Sequence, residues 1–368
     1  MRLALHGSIA TSALLVALAT TGSASNRDEG RAFLAATFGL TASDFTKIDA
    51  GEVVAKGTAA GDARDIATFG IVRLRITAAF YVERLADIAS FKKDDAVVQI
   101  GVFGRPASLR DVEALSLDEP DMRSLRDCRV GHCGLQLPAD TINRVRAEVD
   151  WGRADAPQRA NHLIHQMLVD YVNRYQQAGA GATMQYADRD DLMNVRSEFL
   201  SLAASDAGGW GRFSVLRRHF VEYPGAAAPD ARDLVYWSKE VVSRKTVASV
   251  THLAILPCAA DSPAAFAVGS KQIYGSHYFD ASLGLTVLVP DPSSPSPVTY
   301  VAYLNRSRVD VIGGMFGGVA KRIIASKARS TVADSLGRLQ TRLERDFAAV
   351  RSSSQLPASS RSKRLPTP

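Results

Sequence analysis

The sequence predicts an α+β fold in which a curved antiparallel sheet is closed by one long C-terminal helix. Three observations carry this. Residues 266–289 and 298–309 alternate apolar and polar side chains, as strands with one buried face do. The pair Gly313-Gly314 then leads into a stretch, residues 315–350, in which Phe316, Val319, Ile323, Ala328, Val332, Leu336, Leu339 and Leu343 recur at three- and four-residue steps with one five-residue gap. Strand-like runs also lie near the start of the chain, split from the later ones by a helical block at 139–229. Neither strand-rich region has enough strands to close a sheet alone, so the block reads as an insertion within one α+β domain. The expected layout is a signal peptide at 1–24, sheet and helices at 25–138, the insertion at 139–229, strands and closing helix at 230–350, and a disordered tail at 351–368.

Taken in order, Arg2 supplies a minimal positive region, residues 9–19 an apolar core, and Gly22-Ser23-Ala24 the small residues before a cut at Ser25. That apolar stretch is shorter than the roughly 20 residues of a spanning helix, so an exported chain, periplasmic or secreted, is expected. Residues 28–38 have helical spacing. Residues 53–56 and 63–76 form a hairpin around a small-residue turn. Thr77 caps a helix at 78–91. Residues 97–103 are a strand stopped by Gly104-Arg105-Pro106. A short helix at 109–115 and a strand at 134–137 follow.

The period then changes. Residues 140–149, 160–177, 190–204 and 211–223 are helical. Leu163, Ile164, Met167, Leu168, Tyr171, Val172 and Tyr175 make one apolar stripe. Strands resume at 234–242 and 250–256. Residues 290–297, rich in Ser and Pro, are the loop between the last two strands. The tail is Ser, Pro and basic, without core formers.

The chain is 46% hydrophobic and 22% charged, an ordinary globular composition with length enough for a large core. Its 44 basic residues exceed 38 acidic ones, and the excess is local: eleven basic against three acidic residues lie from Lys321 onward. A solvated helix face with a disordered tail accounts for this. Attachment to an anionic membrane surface is the second reading. Nucleic acid does not suit an exported chain. In an oxidising compartment the spacing of Cys128 and Cys133 around a Gly-containing turn predicts a local disulfide, leaving Cys258 as an inert thiol. A zinc site would need more ligands than His132 beside them. His162 and His165, one helical turn apart, lack a third ligand. No metal or cofactor motif is present.

The run Phe69-Gly70-Ile71-Val72-Arg73-Leu74 leads at once into a helix ending Asp87-Ile88-Ala89-Ser90-Phe91-Lys92. Tyr300-Val301-Ala302-Tyr303 leads into the closing helix. These two segments resemble the opening and the finish of START-like and polyketide-cyclase-like proteins, the helix-grip superfamily. The resemblance spans residues 50–115 and 230–350. It is architectural, and the helical block departs from the family pattern. It implies a cavity between sheet and C-terminal helix that holds a lipid or other apolar small molecule.

The polar residues placed to meet such a ligand are Tyr236, Lys271, Tyr274, His277, Tyr278, Asp280, Tyr303 and Arg306. In an extended strand Lys271 and His277 share one face, while Tyr274, Tyr278 and Asp280 share the other. The sequence leaves open which face lines the cavity. Ser276 cannot use His277 as a base, because neighbours in a strand point apart. Arg306 and Arg308 point the same way and suit a carboxylate or phosphate, or a solvated strand end. Two other functions stay open. One is a cyclase- or aromatase-like enzyme using pocket Tyr, His and Asp as acid and base. The other is an envelope interaction protein with a packed interior.

Overall fold

A computed structural model describes residues 19–58, 62, 64–204, 207–225, 228–242, 245–309 and 317–355. Residues 1–18, Gly313-Gly314 and most of the expected tail lie outside the described residues. Helix α1 (Ala19–Phe38) starts before the expected cut at Ser25 and runs through it. Helix α2 (Ala42–Asp49) follows, opened by a capping box in which Thr41 and Asp44 satisfy each other's backbone N–H groups.

The hairpin β1 (Val54–Gly57) and β2 (Asp65–Leu74) lies where the alternation placed it. Helix α3 (Ala78–Ala86) is capped by Thr77, and Asp87 interrupts it before the short α4 (Ile88–Phe91). Strand β3 (Val97–Phe103) and a 3-10 turn (Leu109–Val112) come next. Helix α5 (Glu119–Asp127), capped by Asp118, was not anticipated.

The expected strand at 134–137 is irregular chain instead, with a bend at 134–135. It makes only isolated backbone bonds, from Gln136 N–H to Ser276 O and from Ala187 N–H to Leu137 O. Helices α6 (Ala139–Glu148) and α7 (Ala156–Ala178) precede a two-residue ladder of β4 (Gln185–Tyr186) and β5 (Met193–Asn194). Helices α8 (Val195–Ala204) and α9 (Ser214–Glu222) end the helical block. Then come β6 (Arg232–Val242), β7 (Lys245–Pro257), β8 (Phe266–Gly275), β9 (Phe279–Pro290), β10 (Thr299–Val309) and the closing helix α10 (Gly317–Gln355).

Eight strands form one open antiparallel sheet in the order β1-β2-β10-β9-β8-β7-β6-β3. Strands from before and after the helical block therefore share a sheet. Helices cover both of its faces. The α5–α9 block, with α1 and α2, packs on one face through Phe69, Ile71, Leu285, Ala302, Ile273 and Trp237. Helices α3, α4 and α10 pack on the other through Val72, Leu74, Val301, Leu288, Val268 and Ile255.

The closing helix sits directly on β2. Leu336 and Leu343 are buried in it, worth about 1.5–3 kcal/mol each. A Cβ on Gly70 would fall 2.6 Å from Val332 Cγ1 and 2.7 Å from Leu336 Cδ1, so only glycine permits this approach. The expected apolar stripe included Ile323, which is instead 63% exposed. Ile324, Ala325 and Ala328 pack on Ile66, Val309 and Phe279 in its place. The step from Ile323 to Ala328 is five residues, which turns a helix well past one face, whereas Ile324 to Ala328 is four.

Cys128 and Cys133 form a disulfide with Cα atoms 4.4 Å apart. Cys258 is a free thiol, half-buried and not wholly buried as expected, and burial pushes its pKa up to about 11. Among the described residues no helix is long and apolar enough to cross a membrane.

Candidate functional site

On the α10 face the sheet changes character along its length. Where α3 crosses it, the side chains are apolar. Beyond that, in the corner framed by α10 and by α3–α4, the face carries Thr68, Ser307, Asn305, Ser282, Ser270, Gln272, Thr251, Ser249 and Ser238. The registers of six strands put these on the same side as Val72 and Val301. Asn305, Ser282, Ser270, Gln272 and Ser249 are half-exposed. A plain core would put Val or Leu there. Part of the floor is internally satisfied: Ser307 Oγ donates to Asn305 Oδ1 at 2.8 Å, and Asn305 Nδ2 donates to Ser282 Oγ at 3.2 Å.

At one rim Lys92, just past α4, meets Glu240 at 2.6 Å. Its ammonium lies 5.5 Å over the Tyr236 ring. Ser238 Oγ donates to the same Glu240 oxygen at 2.6 Å. Burial opposes charge on both partners, but Tyr236 and Glu240 raise the Lys92 pKa, and Lys92 lowers that of Glu240. The pair is therefore ionised at neutral pH. Tyr303 is half-buried on the same face, and burial, offset in part by Lys92, raises its phenol. Thus Tyr236 and Tyr303 come together here.

The other expected site residues lie elsewhere. The run 270–280 is not one extended strand. It bulges at Ile273–Tyr274 and turns at 276–278, where Tyr278 has φ 65°. The bulge sets Tyr274 on the same face as Lys271, towards the helical block, contrary to simple alternation. His277 is buried and bonds Asp121 of α5 at 2.9 Å. Ser276 is buried, and its Oγ accepts the Ala248 N–H at 3.0 Å.

Asp280 is buried between Arg189 at 3.0 Å and Arg64 at 3.5 Å. Arg306 and Arg308 are buried too, not solvated. Arg306 Nη1 donates to Leu202 O at 2.8 Å, and Arg308 pairs with Asp65 at 2.7 Å and Glu198 at 2.8 Å. His165 bonds Leu115 O at 2.6 Å.

Lys271 is wholly buried. Its ammonium donates to Phe220 O at 3.2 Å and lies 4.0 Å over the Phe199 ring. Burial, with Arg196 nearby, pulls it down to about 7. Opposite it in register stands His252, part of a cluster the sequence did not disclose. Asp233 Oδ1 accepts N–H from His219 Nε2 at 2.8 Å and from His252 Nε2 at 2.9 Å. Tyr175 O–H donates to His252 Nδ1 at 2.9 Å, and the Ala228 N–H donates to His219 Nδ1 at 3.2 Å.

The three ligating atoms lie within 4.8 Å of one another, which is close enough for a metal centre. The bonds at Nδ1, however, put the proton of each imidazole on Nε2. Neither ring then turns a lone pair toward a cation. The trio is a satisfied hydrogen-bonded network. Burial raises the Asp233 pKa, but the two imidazole donors outweigh it and lower the carboxyl overall. The period-2 face of Tyr236, Ser238 and Glu240 was a signal for the rim. No comparable signal joined His219 to Asp233. No protein-family model, curated protein or solved structure matches the chain.

Proposed function

We propose that this protein binds an amphipathic small molecule on the α10 face of its sheet, in the manner of helix-grip proteins. The observation that carries this is the partly exposed floor of Ser, Asn and Gln between α10 and α3–α4, with an ionised Lys92–Glu240 pair at its rim. Polar side chains held on a rigid sheet beside apolar walls orient a ligand that has both characters. Val332, Leu339 and Leu253 supply the apolar wall; the floor and rim meet the polar end. A lipid of the cell envelope, met by an exported chain, has that chemistry.

Native mass spectrometry of freshly purified protein, with solvent extraction of whatever it carries, tests the reading. A stoichiometric adduct is expected, and Gln272→Leu should lose it while keeping the thermal midpoint. If the protein carries no adduct, and no fraction of an envelope lipid extract raises its thermal midpoint, the proposal fails.

A further inference from the structure

The charge of α10 is unevenly spread along its length. From its start to residue 333, just short of its midpoint, it carries Lys321, Arg322, Lys327 and Arg329 and no acidic residue. The remainder, from Asp334 on, mixes Arg338, Arg342, Arg345 and Arg351 with Asp334, Glu344 and Asp346. The cations of the second half are largely spent inside the molecule. Arg338 pairs with Asp94 at 2.7 Å, Arg345 with Asp346 at 3.2 Å, and Arg342 Nη1 donates to Lys93 O at 2.9 Å.

In the first half Lys321 donates to Asp62 O at 3.2 Å, while Arg322, Lys327 and Arg329 are exposed. Ile323 is exposed among them, more so than any other large apolar side chain of the described residues. On a helix of 3.6 residues per turn, Ile323 falls at the centre of the outward face. Lys327 then flanks it on one side, and Arg322 and Arg329 on the other. Ile324, Ala325 and Ala328 turn inward, so this segment is already seated on the sheet and its outer face is what remains.

We propose that the first half of α10 docks the protein on an anionic lipid bilayer, with Ile323 inserted at the interface and Arg322, Lys327 and Arg329 at the headgroups. Charge complementarity chooses the occupant. Three cations around one apolar residue suit a surface that is negative outside and apolar just beneath. Long basic side chains reach outward to headgroups while their stems cover apolar surface. This inference stands apart from the ligand reading, because it rests on the outer face of α10 and not on the floor beneath it.

The test is co-sedimentation of the full chain with vesicles of phosphatidylcholine alone and of phosphatidylcholine mixed with phosphatidylglycerol. Binding only to the anionic vesicles is expected, weakening as salt is added. Each basic group near the surface is worth about fivefold in partitioning, so Arg322→Ser/Lys327→Ser/Arg329→Ser together should weaken it roughly 100-fold. Ile323→Ser should weaken it further. The charge-matched control Arg123→Gln/Arg146→Gln/Arg153→Gln removes three exposed cations outside α10 and should bind as wild type does. The basic residues at 361–364 are present in every variant, so they cancel in the comparison. No binding to anionic vesicles would overturn the proposal. So would a control that loses as much as the α10 variant, which would reduce the effect to net charge. Every changed residue is exposed, so the thermal midpoints of the variants should match, and a match excludes misfolding.

Discussion

Replacing Lys271 with Met should stabilise the protein, and by an amount that depends on pH. Lys271 is wholly buried in β8, with Phe220 O as its hydrogen-bond acceptor and the rings of Phe199 and Tyr175 around it. Burial pulls its ammonium from 10.5 down to about 7. In the unfolded chain Lys271 keeps its proton up to the ordinary value, so between about pH 7 and 10.5 the unfolded state binds more protons and stability rises with pH. Below about pH 7 both states are charged and the full cost of burying the ammonium applies. The gap between the two values corresponds to about 5 kcal/mol, read as an order of magnitude. Met has a similar length, no charge and a flexible thioether. It forfeits the bond to Phe220 O, worth about 1 kcal/mol. The variant should therefore be more stable by about 4 kcal/mol at about pH 6, and the advantage should shrink and reverse by about pH 10.5. Urea unfolding of both proteins across that range measures it, and titrations shared by the two proteins cancel in the difference. Parallel stability profiles would refute the reasoning, because they would mean that Lys271 titrates alike folded and unfolded.

Four further outcomes are expected. Gly70→Ala should cost about 1–3 kcal/mol in thermal or urea unfolding, because its Cβ would meet Val332 and Leu336 inside van der Waals contact. Leu336→Asp should cost more than about 3 kcal/mol by the same measurement, since it puts a charge into an apolar contact, while Arg345→Gln on the exposed side should change stability by less than about 0.5 kcal/mol. Cys128→Ser/Cys133→Ser should lose about 2 kcal/mol, the loop-closure value for so short a ring, and alkylation of the denatured wild type without reductant should label Cys258 alone. N-terminal sequencing of material from the cell envelope should start at Ser25; a start at Met1 there would end the signal-peptide reading.

Much of the architecture was readable because its signals are periodic. Strand β3 and strand β10 lie within a residue of where alternation placed them, and the stripe of α7 is buried as its spacing predicts. Helices α2 and α5 were missed although each carries a cap, at Thr41 and at Asp118. Both are short, and their apolar spacing is too brief to repeat.

The site was less legible for a different reason. Its residues meet through register, which no local pattern records. Lys92 and Glu240 are 148 positions apart. Asp233 and His252 share a face only because β6 and β7 pair Val235 with His252. At Tyr274 alternation pointed the wrong way, since one bulged residue reverses every assignment beyond it. Ile323 went wrong in the same manner on a helix, by one residue of phase.

The place of β10 between β2 and β9 constrains how the chain comes together in time. Strand β2 has β1 on one side, but its other side waits for residues 299–309. Arg308 reaches Asp65 across 243 positions of chain. Closing so long a loop is slow, and contacts this distant place the fold among slow folders. Until β10 emerges, the run Ile66–Val72 offers an apolar strand edge with no charged residue in it. The β1–β2 hairpin therefore gains its second neighbour only once residues 299–309 are present, whereas β3 and β6–β9 pair with one another without them.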